Sequence, residues 1–434
     1  WSVPEIVYSL DDCDTRILII GDDFLSMAAE IRSTARHAPV LIYAGDRQPP
    51  EGMLGFEQLI AHSEPVGDVG RGGNDLAAVM YTGGTTGHPK GVMQSHLNLW
   101  SSCIQRQPVS PVLPDAITLH IAPLFHTAAM VRAVLQTTAG GTHVVLPGFD
   151  PIATLEAIQR DRPNEVMMVP TMLQALIMHP DFGRFDLSSV KRLVYGASPI
   201  SAAVLERALR LLPQVEFMHC YGLTEASPIV SINPGCNHTA EGIASGLYRS
   251  VGRACPGVQV RIVDDEGNDV PRNTVGEIIV RGANIMLGYW NKPEETAGAL
   301  RNGWLHTGDG AYMDEQGYIF IVDRLKDMIV TGGENVYSAE VENVLARHPA
   351  VASSAVVGVP HERWGEAVHA VVVLKPGAQA TEDELREHCR AFIAGYKCPK
   401  SIEFRTEMPL SGAGKILKKD LRAPYWNNRS RAVN

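Results

Sequence analysis

Several common features are missing from this sequence, and each absence narrows the choice. Its seven cysteines, at positions 13, 103, 220, 236, 255, 389 and 398, include no Cys-x-x-Cys pair. With an odd number and no ligand spacing, neither a disulfide framework nor a zinc site is suggested, and a reducing cytoplasm is expected. No run of like charges forms a tail, and no repeat or low-complexity tract is evident. No uninterrupted apolar stretch approaches the roughly 20 residues of a spanning helix, and the first residues lack a signal-peptide pattern. A soluble, cytoplasmic chain without a membrane span is the expectation. A formal net charge of -10 disfavours nucleic acid and anionic membrane surfaces, which select basic faces. Small or neutral partners fit better, and oligomeric state is not legible.

The 434 residues, 45% hydrophobic and 20% charged, are enough for at least two cores. Apolar strand-like runs at 16–20, 39–43, 76–81, 116–122, 142–146, 165–169, 192–195 and 215–219 alternate with helix-length amphipathic segments. That alternation predicts layered α/β with largely parallel strands. From about 230 to 323 the pattern becomes short strands with turn residues, as in 258–263 before Asp264-Asp265-Glu266-Gly267, which predicts a small, mostly antiparallel β subdomain. Beyond Lys326 a compact α+β unit is expected. Ser338 can cap a helix carrying Val341, Val344 and Leu345, two apolar strands flank 361–366, and Thr381-Glu382-Asp383-Glu384 forms a capping box.

The most informative segment is Tyr81-Thr82-Gly83-Gly84-Thr85-Thr86-Gly87-His88-Pro89-Lys90-Gly91, directly after an apolar strand. Glycines let the backbone approach an anion, threonine hydroxyls and N–H groups donate, and the lysine brings charge. A Walker loop is excluded, because Gly-Lys-Ser/Thr would have to open a helix. A second block, His219-Cys220-Tyr221-Gly222-Leu223-Thr224-Glu225, follows a strand-like run, where functional residues gather. Tyr221 there can stack on a purine, Gly222 admits a ligand, Thr224 offers a hydroxyl to phosphate and Glu225 a carboxylate to Mg²⁺. Alone, that block reads equally as a core tyrosine beside a surface glutamate. In a third, His306-Thr307-Gly308-Asp309 precedes Asp323-Arg324-Leu325-Lys326-Asp327 by one hairpin. An aspartate on a tight turn can accept both ribose hydroxyls with Arg324 in support, or the two form a solvated salt bridge. Finally, Pro409-Leu410-Ser411-Gly412-Ala413-Gly414-Lys415 carries a lysine on a glycine loop leading into a basic helix; the alternative is a solvated lysine.

These blocks, in this order, resemble the adenylate-forming superfamily of acyl-CoA synthetases, luciferases and peptide-synthetase adenylation domains, from about residue 4 to about 422. Gly196-Ala197-Ser198-Pro199 resembles the family's adenine-side loop. Leu325-Lys326-Asp327-Met328-Ile329 and Gly332-Gly333-Glu334-Asn335-Val336-Tyr337 look most like the acyl-CoA synthetase branch. The resemblance implies a large adenylation domain over 1–325, built of layered α/β subdomains with a small β-barrel-like subdomain. A small mobile α+β C-terminal domain would follow over 326–434, hinged at Lys326. It implies an ATP-dependent ligase that forms an acyl-AMP intermediate with Mg²⁺ and passes the acyl group to coenzyme A. Thr82, Gly83, Gly84, Thr85, Thr86, Gly87 and Lys90 would hold the β- and γ-phosphates, with Gly196, Ala197, Ser198, Tyr221, Gly222, Gly332 and Gly333 also on the nucleotide or cofactor side. Thr224 would touch the α-phosphate, Glu225 would ligate Mg²⁺, Asp309 and Arg324 would fix the ribose, and Lys415 would bridge the two reacting anions.

Segments that resemble the acid pocket, 123–130 and 166–174, are aliphatic and carry no acidic group. They favour a fatty, alicyclic or aryl acid over an amino acid, which would want a carboxylate for its ammonium. His126, Val169, Ala197, Gly222 and Leu223 are the implied pocket residues, His126 as a gate or an ordinary packed histidine. Relatives generally carry several dozen residues before the point where Trp1 begins, so the first subdomain is expected to lack its leading segment. Gly84 stands where serine is common, and His219-Cys220 where Gln-Gly is frequent. An acyl-AMP ligase loading a carrier protein and a disabled nucleotide-binding relative compete; retained Glu225 and Lys415 argue against the second.

Overall fold

The computed structural model describes residues 1–82, 89–198, 200–412 and 414–426. The chain forms two compact units, one of Trp1–Leu97 with Met286–Gly298 and one of Asn98–Ile285 with Ala299–Asn434.

In the first unit, Ile17–Ile20, Val40–Tyr43 and Leu54–Gly55 make a parallel three-stranded sheet. Val7 and Ile31, from the helices Val3–Asp12 and Leu25–Thr34, close a small core. Leu76–Thr82 departs from the parallel expectation and pairs antiparallel with Lys90–Ser95. The reason is chain length: the few residues between the two strands are too short for a parallel crossover, which needs a dozen or more.

The second unit is built on a seven-stranded sheet, in the order Arg253–Ala254, Ile229–Asn233, Glu216–Gly222, Arg192–Gly196, Glu165–Met168, Ile117–His120, Thr142–Val145. The last five strands are mutually parallel; Ile229–Asn233 runs antiparallel to them and pairs antiparallel with Arg253–Ala254. Strands covered on both faces read as continuous apolar runs, and Arg192–Gly196 is buried at every position. Leu119, Val166, Leu193 and Phe217 meet Leu155, Ile158, Leu173, Leu176 and Leu205 of the covering helices in one core. Val258–Val263, Gly276–Gly282, Trp304–Met313 and Ile319–Arg324 form the expected antiparallel sheet.

After Lys326 come a hairpin, a helix Ser338–Leu345, the long antiparallel pair Val351–His361 and Gly365–Leu374, and a helix Glu382–Arg390. The Thr381 and Glu384 capping box is formed on both sides. Ser338 is not the cap. Tyr337 holds that position, and the Ser338 hydroxyl instead donates to Asp323 at 2.6 Å, because a buried carboxylate at the end of the preceding sheet competes for it. Gly332 (φ 62°) and Gly333 (φ 87°) form the two-residue turn between Ile329–Thr331 and Glu334–Val336, a geometry that needs two left-handed residues. Among the described residues no helix is long and apolar enough to cross a membrane.

Two buried histidines in this unit predict acid sensitivity. His120 stacks on His143, and His238 Nδ1 lies 3.1 Å from the Pro234 carbonyl, so its Nε2 accepts from the Tyr195 hydroxyl at 2.8 Å. Burial pushes both imidazoles down to about 4. Their folded values lie below the ordinary 6.5, so between those limits the unfolded chain binds more protons and stability falls as pH falls. Each should cost roughly 1–2 kcal/mol at pH 5. Urea midpoints that stay level from pH 7 to pH 4 would contradict this.

Candidate active site

The parallel strand Glu216–Gly222 delivers the site. Its C-terminal end is bulged against Ile229 between Tyr221 and Gly222, and a side chain at Gly222 would collide with the Pro228 carbonyl, so only glycine allows this approach. Gly196, at the end of the neighbouring strand, meets the Cys220 carbonyl in the same way and is followed by Ala197 at φ 68°. A non-glycine residue in that region is strained, as is common at ligand-contacting turns. Ser198 is half-buried beside it. After Leu223 the chain makes a single tight turn, Thr224–Ala226, which carries Thr224 and Glu225.

Asp309 is not on a tight turn. It lies within the strand Trp304–Met313, directly opposite Arg324. The cause is local: Gly308 takes the left-handed bend (φ 70°) one residue earlier, and the ladder then resumes. Asp309 is only 5% exposed. It accepts from the Tyr221 hydroxyl at 2.7 Å and faces Arg324 Nε at 3.3 Å. Tyr221 is therefore locked by its hydroxyl, and burial together with the Asp309 charge holds its proton on.

Lys415 closes the arrangement from the C-terminal side. Its loop is a small closed hairpin: Ser411 N donates to Lys415 O and Gly414 N to Ser411 O, both at 2.8 Å, and Leu410 bridges Ile416. Burial lowers the Lys415 ammonium from its ordinary value, as does the Arg324 charge, while Asp309 and Glu225 oppose the shift. Four charged groups from four separate elements therefore share one electrostatic neighbourhood. His126, beside the exposed Phe125, is pushed down to about 4 by burial and then by Lys415, and its Nε2 has no partner among the described residues. Val169 lies below the loop, 3.5 Å from where a Gly414 side chain would begin. Lys326 is pushed down to about 8 by burial and by Arg324, and its carbonyl lies 3.5 Å from Arg422.

Thr82 and Lys90 belong to the first unit, where they are paired across the hairpin and Lys90 Nζ lies 4.9 Å from the Tyr289 ring centre. Gly83, Gly84, Thr85, Thr86 and Gly87 lie outside the described residues.

The donor set suits a magnesium nucleotide. Among the described residues no three metal-ligating side chains gather, yet Mg²⁺ is commonly held by one or two carboxylates plus substrate phosphates, and Glu225 supplies one. An ammonium disfavoured by burial is stabilised by an anion beside it, as a phosphate would be.

Sequence reasoning missed three groups. One is a buried triad of Arg106, Arg132 and Glu165; another is Thr171 and Gln174, which reach C-terminal carbonyls; the third is Asp323, Ser338, Glu342 and Lys418, with Lys418 Nζ 2.8 Å from Glu342. Only the last left a trace in the sequence, as a basic helix start.

Residues 1–290 match the family described as AMP-binding enzyme, and 340–415 match the AMP-binding enzyme C-terminal domain. A feruloyl-CoA synthase from Amycolatopsis sp is 40% identical over 426 residues, covering 98% of this chain and 82% of that protein. A long-chain-fatty-acid-CoA ligase from Bacillus subtilis is 39% identical over 352 residues, covering 80% and 61%. The amide bond synthetase McbA from Marinactinospora thermotolerans superposes with a TM-score of 0.86 at 34% identity, covering 98% of this chain and 83% of its own. The shared architecture is mixed α/β with a large N-terminal and a small C-terminal domain.

Proposed function

This chain belongs to the AMP-binding enzymes, in the acyl-CoA synthetase branch, and we propose that the acid it activates is hydrophobic, with a medium- or long-chain fatty acid as the leading candidate. The reaction class is AMP-forming acid–thiol ligation using ATP and coenzyme A. The carboxylate attacks the α-phosphorus and pyrophosphate leaves. The CoA thiol then attacks the acyl carbonyl, AMP leaves, and the thiol proton is lost to solvent. The observation that supports the assignment of roles is buried Asp309 held between the Tyr221 hydroxyl at 2.7 Å and Arg324 at 3.3 Å, with Lys415 feeling the charges of Asp309, Arg324 and Glu225.

Lys415 lowers the repulsion between carboxylate and α-phosphate. Thr224 reaches the α-phosphate, Asp309 and Arg324 hold the ribose, and Tyr221, fixed through Asp309, offers its ring to the adenine. Mg²⁺ would be held by Glu225 and would neutralise phosphate charge when bound. The glycine-threonine loop from Thr82 to Lys90 takes the β- and γ-phosphates, and Gly332 and Gly333 belong to the cofactor side after rearrangement. The domain boundary is placed at Lys326, which acts as the hinge between half-reactions.

Within the segments 123–130 and 166–174, the buried apolar Ala129, Val169 and Met172, as distinct from Thr171 and Gln174, whose side chains bond to main-chain carbonyls, support a hydrophobic acid lined also by His126, Ala197, Gly222 and Leu223. A second reading, an aryl or alicyclic acid, is favoured by the similarity to the feruloyl-CoA synthase, which spans 98% of this chain and 82% of that protein. The deciding experiment is AMP release with CoA across fatty acids of increasing length and substituted aryl acids. A rise in kcat/KM along the fatty series supports the first reading. Preference for an aryl acid overturns it, and activity only with a carrier protein overturns CoA as the acceptor.

A further inference from the structure

The helix Pro170–Met178 has two faces. Met172, Leu173, Leu176 and Ile177 enter the core of the parallel sheet. Thr171 and Gln174, three residues apart and hence neighbours on the other side, are half-buried. Each donates a hydrogen bond to a main-chain carbonyl beyond Lys326. Thr171 Oγ1 reaches Gly414 O at 2.9 Å, and Gln174 Nε2 reaches Ala352 O at 2.8 Å.

Both acceptors are freed by local irregularities. Ala352 is the extra residue where the register between Val351–His361 and Gly365–Leu374 shifts, and a bulge leaves one residue outside the ladder. Gly414 is left-handed at φ 73°, immediately before Lys415, and a side chain there would begin 3.0 Å from Thr171 Oγ1. The close approach therefore requires glycine on one partner and a small hydroxyl on the other. One hydrogen bond fixes the residue next to the lysine, and the second fixes the start of the long strand pair, so together they set both position and orientation.

We infer that Thr171 and Gln174 are positioning residues for acyl-adenylate formation: they dock the C-terminal segment on this helix and so hold Lys415 among Glu225, Asp309 and Arg324. The inference rests on the role proposed for Lys415. Both bonds are neutral side-chain-to-carbonyl contacts, which water can replace at little cost. The latch is thus strong enough to bias an arrangement and weak enough to release it before the thiol step. Thr171 and Gln174 act only through Lys415, so they leave the second half-reaction untouched.

The test separates the half-reactions. Acid-dependent pyrophosphate exchange reads the first, and thioester formation from synthetic acyl-AMP and CoA reads the second, using the best acid of the panel above. Thr171→Val and Gln174→Leu should each slow exchange roughly 3- to 10-fold, and the double variant on the order of 10- to 100-fold, as expected for lost hydrogen bonds. Thioester formation should stay within about twofold, and Thr171→Ser should restore exchange. Lys415→Ala is the reference. Exchange at the unaltered rate in the double variant while Lys415→Ala is slow overturns the latch alone. A parallel fall of both half-reactions also overturns it, as a general structural effect. An unaltered Lys415→Ala overturns the reading of Lys415 and the latch with it.

Discussion

Lys415→Ala is expected to slow acyl-adenylate formation on the order of 10²–10³-fold, the usual consequence of removing one donor aimed at developing charge. The expectation follows from surroundings rather than from the residue type. Asp309 is 5% exposed and already engaged by Tyr221 and Arg324, so it does not neutralise Lys415 fully. Burial leaves the ammonium less stable than in water, and two approaching anions restore it. Its charge is better compensated as the two anions close on each other than while they are apart, and that gain toward the transition state is what accelerates the step. In the free protein, activity should be lost with rising pH below the ordinary lysine value, because the folded value is depressed; the alkaline limb of kcat/KM reports this. Thioester formation from preformed acyl-AMP should change little. Pyrophosphate exchange that persists at the original rate in Lys415→Ala would remove the basis for the assignment.

How much of this was legible in the sequence depended on whether the information was local. The parallel strands from 117 to 222 announce themselves as apolar runs between turns, and the Thr381 capping box is four consecutive residues. Thr224, Glu225, Asp309, Arg324 and Lys415 were nameable because each belongs to a short motif, and the fold brings these separated pieces together. Errors came where the outcome depended on a distant competitor. Ser338 looks like a helix cap, but Asp323, fifteen positions earlier, takes its hydroxyl. Asp309 reads as a turn residue until the pairing with Arg324 extends its strand. Thr171 and Gln174 are unremarkable polar positions on a short helix, and only the carbonyls of Ala352 and Gly414, more than 170 residues away, give them work. Charge pairing inside a core is the extreme case, since neither Glu165 nor its arginines carry any local signal.

Glu165→Gln should destabilise the second unit by roughly 3–5 kcal/mol, the cost of removing one partner from a buried ion pair. Glu165 is fully buried, Arg106 and Arg132 are each 3% exposed, and Glu165 contacts Arg132 directly with Arg106 Nη2 at 3.7 Å. Burial pushes the Arg132 guanidinium down to about 10, and the like charge of Arg106 adds to it, with Glu165 opposing. Two cations and one carboxylate leave the triad with one excess positive charge, so removing the carboxylate leaves two uncompensated cations buried together. Ser110 Oγ accepts from Arg106, Thr118 Oγ1 from Arg132 at 3.5 Å and the Pro111 carbonyl from Arg192, but these neutral acceptors carry no charge to offset it. Charge balance also sets an order among variants. Arg132→Met should cost less than Glu165→Gln, because it leaves one balanced pair, and adding Arg132→Met to Glu165→Gln should recover stability instead of losing more. Guanidinium denaturation of the three variants measures this directly. If the double variant were less stable than Glu165→Gln alone, the packing lost around the Arg132 stem would outweigh the relief of its unpaired charge, and the electrostatic account of the cluster would fail.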